Sequence, residues 1–152
     1  MQQEKWANVI GEMRPLFKEH FAELGVNKHH LEPIADESRY EQLEQFGILF
    51  VLAVRAEGKL VGYFTGFTMP HLHYLGAGPW TMTDMYWVKP EYRNGTGLKM
   101  FRAFKQIARE RGCKFAVTSC KVHQDHSVLF EALGAKWTDK TFIFDLEDEA
   151  CQ

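Results

Sequence analysis

At 152 residues the chain has the length of one compact domain, 1–152, built around one core. Its apolar share of 45% and charged share of 25% are ordinary for a soluble fold. No apolar run reaches the roughly 20 residues that span a bilayer, and a net charge of −2 argues against bulk nucleic-acid binding, which needs clustered Lys and Arg. The opening Met1-Gln2-Gln3-Glu4-Lys5 lacks the basic-then-apolar pattern of a signal peptide. Cys113, Cys120 and Cys151 are odd in number and show no Cys-x-x-Cys spacing, so neither a disulfide framework nor a cysteine zinc site is expected. A cytoplasmic setting follows as the expectation.

Trp6, Val9, Ile10 and Met13 recur at helical spacing, and Pro15 is expected to end that helix or start a second one. Leu16, Phe17, Phe21 and Leu24 continue the stripe to Gly25. Asp36 is set to cap a helix carrying Tyr40, Leu43 and Phe46, with Gly47 as its stop. Ile48 to Ala56 then reads as a strand, Glu57-Gly58-Lys59 as a hairpin turn and Leu60 to Met69 as the return strand. After a loop at Pro70 to Pro79, Trp80 to Val88 is a third strand that Lys89-Pro90 stops. Gly97 to Arg111 is helical, with Phe101, Phe104, Ile107 and Ala108 on its core face. Lys114 to Ser119 is a short strand, a helix opens near Asp125 and closes at Gly134, and Lys136 to Leu146 supplies one or two final strands. The order predicts an α+β fold: a mixed, mostly antiparallel central sheet with helices on both faces.

One stretch carries chemistry: Asp84-Met85-Tyr86-Trp87-Val88-Lys89-Pro90-Glu91-Tyr92-Arg93-Asn94-Gly95-Thr96-Gly97-Leu98. A strand runs into a glycine-bearing basic turn that opens a helix, which is an anion site in physical terms. Glycines let backbone amides approach phosphate oxygens, and the helix start presents unpaired N–H groups at the positive end of a dipole. Arg93 and Lys99 can add charge-assisted contacts. A plain strand-to-helix turn would also use a stop proline and two glycines. No Gly-x-x-x-x-Gly-Lys-Ser/Thr run exists, and a dinucleotide fingerprint should open a parallel βαβ unit, whereas this turn follows a meander.

Val88, Pro90, Glu91, Tyr92 and Arg93, followed by Gly95 and Gly97, resemble the signature of the GNAT acyltransferase family. Leu60-Val61-Gly62-Tyr63 looks like that family's third strand, and Phe130-Glu131-Ala132-Leu133-Gly134-Ala135 like its helix end. The Trp6 helix in place of a first strand, Pro70-His71-Leu72-His73-Tyr74 and Leu133-Gly134-Ala135-Lys136-Trp137 resemble a subgroup common in bacteriophages and their hosts. In one respect the match departs. A single residue separates Arg93 from Gly95, so the loop is one residue short or Tyr92 fills its first position.

The resemblance implies an N-acetyltransferase that passes an acetyl group from acetyl-CoA directly to a primary amine of a small molecule, peptide or modified base, with no metal. Pantetheine would pair with the strand around Tyr86, Trp87 and Val88. The pyrophosphate would rest on Arg93, Asn94, Gly95, Thr96, Gly97, Leu98 and Lys99. An amide near Val88 would bind the oxyanion. Asp84 is the candidate base; strand alternation puts it on the face of Tyr86 and Val88, unless a bulge intervenes. Phe130 occupies the place where the family usually has a proton-donating tyrosine. Water, Ser127, Tyr86 or a histidine is left to protonate the thiolate. His123 falls where the family often has a cofactor-contacting asparagine, and His126 lies one turn before Phe130.

His71 and His73 lack the further ligands of a zinc site and are expected to line the acceptor pocket or pack the loop. Cys120 invites a covalent acyl-enzyme, but a lone cysteine without a base partner reads as packing. A homodimer is implied by family habit alone. Phe130 and the short loop keep other readings open: a fold retained for binding or structure without catalysis, or a different acyl donor.

Overall fold

The computed structural model describes residues 1–25 and 31–144. Cys151 and the end of the expected final strand, including Leu146, lie outside them. The elements run β1 (Gln2–Gln3), α1 (Trp6–Leu24), α2 (Glu37–Gln45), β2 (Leu49–Ala56), β3 (Lys59–Pro70), β4 (Pro79–Val88), α3 (Thr96–Glu110), β5 (Phe115–Val117) and α4 (Ser127–Ala132). The sheet order is β1-β2-β3-β4-β5, antiparallel throughout except for the parallel β4–β5 pair.

β2 and the first part of β3 are buried without alternation because both faces of the sheet are covered there. Leu49, Val51, Ala53, Tyr63 and Trp87 pack against Trp6, Val9, Ile10, Met13, Leu16 and Phe17 of α1. Phe50, Leu52, Val54, Phe64 and Val88 pack against Met100, Phe101, Phe104 and Ile107 of α3 and Phe130 of α4. Phe64 sits at the centre of this second core. The rings of Phe50, Tyr86, Phe101 and Phe104 stand 5.0–6.1 Å from it.

Three sequence expectations change. The first helix is continuous through Pro15. That residue lies on the solvent face, four positions after the exposed Gly11, so the carbonyl that proline leaves unbonded faces water. A first strand also exists: Gln2 and Gln3 pair with Ala53 and Leu52, so α1 follows a strand and does not replace one. Finally, Lys136–Phe144 contains no strand among the described residues. Trp137, Phe142, Ile143 and Phe144 are exposed, and a cavity of about 290 Å³ lined by Phe101, Phe104, Phe115, Phe130 and Leu133 stays open beside β5.

The capping expectations hold. Asp36 accepts from the Arg39 amide at 3.1 Å, and the hairpin turn uses positive φ at Glu57 and Gly58. A cap the sequence did not disclose is Glu44 of α2, which accepts from the Trp6 amide at 2.7 Å. With the Trp6 and Tyr40 rings stacked at 4.2 Å, it fixes α2 over the start of α1.

Candidate active site

β4 and β5 pair only from Trp80 to Met82 against Phe115 to Val117. Past this point they diverge, with Thr83 and Thr118 hydroxyls still in contact at 3.3 Å and the Tyr86 hydroxyl donating to Ser119 O at 2.9 Å. On its other side β4 remains bonded to β3. Lys89 N–H donates to Val61 O at 2.9 Å and Met85 N–H to Thr65 Oγ1 at 3.2 Å. Alternation along the strand therefore turns the main-chain groups of Tyr86 and Val88 into the opening. The result is a V-shaped cleft whose β4 wall presents the Tyr86 main chain and the Val88 amide, the Val88 carbonyl being taken by Arg93 Nε.

The cleft leads to the loop. Pro90–Tyr92 form one 3₁₀ turn, and Gly95 precedes α3 in the left-handed region at φ 75°, a conformation that side chains rarely adopt. In the first turn of α3 the amides of Gly97 and Leu98 have no helical carbonyl to bond. Thr96 is tied down by its hydroxyl bond to Tyr92 O. Lys99 is exposed on the same turn.

The Arg93 side chain is engaged within the protein. Its guanidinium turns away from the helix start and grips Glu23 of α1 through Nη1 at 2.8 Å and Nη2 at 2.5 Å, while Nε donates to Val88 O at 2.9 Å. With Arg93 as the main cause, the Glu23 carboxyl is held down to about 2.

Asp84 also turns the other way from strand alternation. Tyr86 opposes Phe64 and Thr83 opposes Gly66, so Asp84 and Met85 together face the single residue Thr65. This is a β-bulge, and it rotates the strand. Asp84 thus lies on the α1–α2 side, opposite Tyr86 and Val88. Its Oδ2 accepts from Tyr40 at 2.6 Å and from Thr65 Oγ1 at 2.9 Å. The buried Thr65 hydroxyl gives its proton to Asp84 while accepting the Met85 amide, which satisfies the bulge from within. Crowding by protein pushes the Asp84 carboxyl up, and the two hydrogen bonds pull it partly back. Water still reaches this side chain, so it lines an open recess.

Beside it, His20 Nδ1 lies 2.6 Å from the Tyr63 hydroxyl and its ring stacks 6.1 Å from Trp87. Burial pulls His20 from 6.5 down to about 4, so the imidazole is neutral at pH 7. The unfolded histidine takes up a proton near pH 6.5 that the folded one refuses until about pH 4. Stability must therefore fall as pH drops through that window. His20→Gln is expected to recover about 2 kcal/mol of that loss between pH 7 and 4.5, read from urea unfolding midpoints beside the wild type.

The remaining nominees scatter. Tyr86 lies in the cleft against Phe101, and burial raises its phenol, a poor state for an acid. Phe130 is buried against Phe101 at 4.9 Å. Ser127 opens α4 with its amide on Asp125 Oδ1 at 2.8 Å. His123 is exposed on the turn before α4, and no hydrogen bond or ring contact joins it to Asp84 or Tyr86. His126 stands nearer, 6.3 Å from the Tyr86 ring. The His71 ring lies tilted against Trp80 at 4.2 Å, which fits the packing role. Cys120 accepts from the His126 amide at 3.4 Å. Among the described residues no group of three or more His, Cys, Asp or Glu is placed to hold a metal ion.

Sequence reasoning missed Thr65, Tyr40, Tyr63, His20 and Glu23. One signal was available for Glu23: an anion in the last turn of a helix opposes the dipole and needs a partner.

The model of the GNAT acetyltransferase family matches residues 12–134, and the chain belongs to that family. A search of the curated proteins finds none that matches this sequence. Among solved structures, an aminoglycoside acetyltransferase from an uncultured soil metagenomic sample, in complex with sisomicin, is 18% identical. The match covers 96% of this chain and 95% of that one with a TM-score of 0.73. A ribosomal-protein-alanine N-acetyltransferase from Brucella melitensis biovar Abortus 2308 is 20% identical over 94% and 98% of the two chains, with a TM-score of 0.66. An aminoglycoside N-acetyltransferase in complex with CoA is 16% identical over 94% and 96%, with a TM-score of 0.70. These likenesses establish the shared fold.

Proposed function

We propose that the chain, as one acyltransferase domain, transfers the acetyl group of acetyl-CoA directly to a primary amine. The observation that carries this reading is the cleft whose wall at Tyr86 and the Val88 amide runs from the α3 amides at one end to the Asp84 bulge at the other. The first end suits an anionic pyrophosphate, with Gly97, Leu98 and Lys99 as its donors. The second end suits a cation. Tyr40 and Thr65 both hold Oδ2 of Asp84 and, among the described residues, none bonds Oδ1, so an ammonium can dock on that oxygen of an oriented carboxylate.

In the transfer the ammonium loses two protons. Asp84, or a water held by it, takes the first, and the amine nitrogen then forms its bond to the thioester carbon as the C–S bond breaks. The cleft-facing Val88 amide offers a donor to the carbonyl oxygen during that exchange. One proton returns to the departing thiolate and one leaves to solvent. Tyr86 is the sequence nominee nearest the thiolate end, but its proton is engaged with Ser119 O. Protonation by solvent therefore suffices in this reading.

A phage-type enzyme is the wider reading, supported by the loop at Pro70–Tyr74 and the Leu133–Trp137 run, with a homodimer resting on family habit and a cytoplasmic setting on the cysteine usage. Among the described residues no helix is long and apolar enough to cross a membrane.

The test is direct. Calorimetry is expected to detect acetyl-CoA binding, and CoA thiol release is expected to rise when sisomicin or an alanine-terminated peptide is added. Binding without release for any amine would favour the non-catalytic reading suggested by Phe130. No binding at all would sink the assignment.

A further inference from the structure

Glu23 takes part in none of the chemistry described above, yet its carboxylate joins three elements. It accepts from Trp87 Nε1 on β4 at 2.8 Å, from Arg93 on the loop through both terminal nitrogens, and from Gln124 Nε2 on the turn after β5 at 3.4 Å. Trp87 and Arg93 belong to one flank of the cleft and Gln124 to the other. A single side chain on α1 thus spans the opening beneath the sheet. Arg93 carries the link onward, since its Nε holds Val88 O at 2.9 Å and its guanidinium lies 5.9 Å from the centre of the Trp87 ring.

The loop needs such an anchor. Gly95 gives it a backbone that moves readily, and any disorder present before binding must be frozen out when a ligand docks. A forked arginine–carboxylate pair fixes both distance and orientation, which a single-point contact does not. Glu23 is also mostly covered, with 23% of its side chain exposed, so solvent screens the pair less than at an open surface.

We propose that Glu23 is a positioning residue for the donor: by gripping Arg93 it holds the loop from Arg93 to Gly97, and the Val88 strand end, in the geometry that receives CoA. This rests on the reading of the cleft as a CoA site. The opposite sign is physically available. If Glu23 only kept Arg93 away from phosphate, removing it would strengthen binding.

Calorimetric titration of CoA itself into wild type, Glu23→Gln, Arg93→Gln and the double variant separates these cases. Glu23→Gln is expected to bind CoA about tenfold more weakly, which is about 1.4 kcal/mol. Arg93→Gln should lose a similar factor, and the double variant no more than the worse single, because both cut one link. In turnover the KM for acetyl-CoA should rise by more than kcat falls, a split that general destabilisation would not produce. Glu23→Gln binding CoA as tightly as wild type, or more tightly, overturns the proposal, and so do losses that simply add. Should Glu23→Gln fail to fold, Arg93→Lys keeps the charge without the fork and carries the same expectation and the same refutation. Wild type that binds no CoA would instead overturn the donor reading beneath it.

Discussion

Asp84→Asn is expected to lower kcat/KM for acyl transfer by at least about 100-fold, roughly 2.7 kcal/mol, while CoA binding stays within about twofold of wild type. Asparagine has the same shape, and its amide oxygen can still accept from Tyr40 and Thr65, so the bulge should persist. The substitution removes the negative charge and the basic lone pair that the free Oδ1 offers to an ammonium. Thiol-release rates on the same amine, with a CoA titration of each protein, separate the two effects. A rate within a few-fold of wild type would remove Asp84 from the chemistry. A parallel loss of CoA affinity would mean that the change disturbed the cleft itself.

Gly66→Ala is expected to be the most damaging of the small substitutions for stability. A Cβ at that position would stand 2.4 Å from Phe50 Cζ and 2.7 Å from Met82 O. The phenylalanine is locked between Phe64 and Phe104, and the carbonyl belongs to the backbone of β4, so neither can retreat cheaply. Overpacking of this kind costs about 1–3 kcal/mol, and displacing backbone puts this case at the upper end. Thermal unfolding should show a drop of roughly ten degrees for a chain of this size. Activity should fall as well, since Gly66 neighbours Thr65 in the strand that holds the bulge. An unchanged melting temperature would show that β3 and β4 can separate locally, and would undo the account of how Asp84 is fixed.

The strand-turn-helix run was legible in the sequence because its information is local. Val88 to Gly97 is a strand end, a stop proline, a turn and a helix start within ten residues, and each is enforced by backbone chemistry at its own position. The family resemblance read from that run is the one the family model shows. The surroundings of Asp84 were not legible in the same way. Asp84 could be nominated from its strand, but its facing depended on a bulge created by the pairing with β3. Its partners come from Tyr40, 44 residues earlier, and Thr65, 19 residues earlier. His20 and Tyr63 meet only because α1 crosses the sheet. No periodicity announces a contact between residues so far apart, so the sequence named the carboxylate and missed what orients it. Arg93 shows the same limit: the turn was readable, but the ion pair of its side chain with Glu23, 70 residues away, was not.

The bulge at Asp84 and Met85 has a further consequence, concerning how freely this scaffold can be altered. It makes β4 two short strands out of phase, so that residues two apart in sequence serve opposite faces of the sheet. The side chains upstream and downstream of it therefore pack against different layers, so that in the function proposed above donor and acceptor would draw on separate sets. That independence hangs on one surplus residue. Deleting Met85 would restore plain alternation and move Asp84 into the place beside Tyr86 that Met85 now holds, displaced along the strand from the point where Tyr40 and Thr65 meet it. The turn from Pro90 to Gly97 would keep its own backbone geometry.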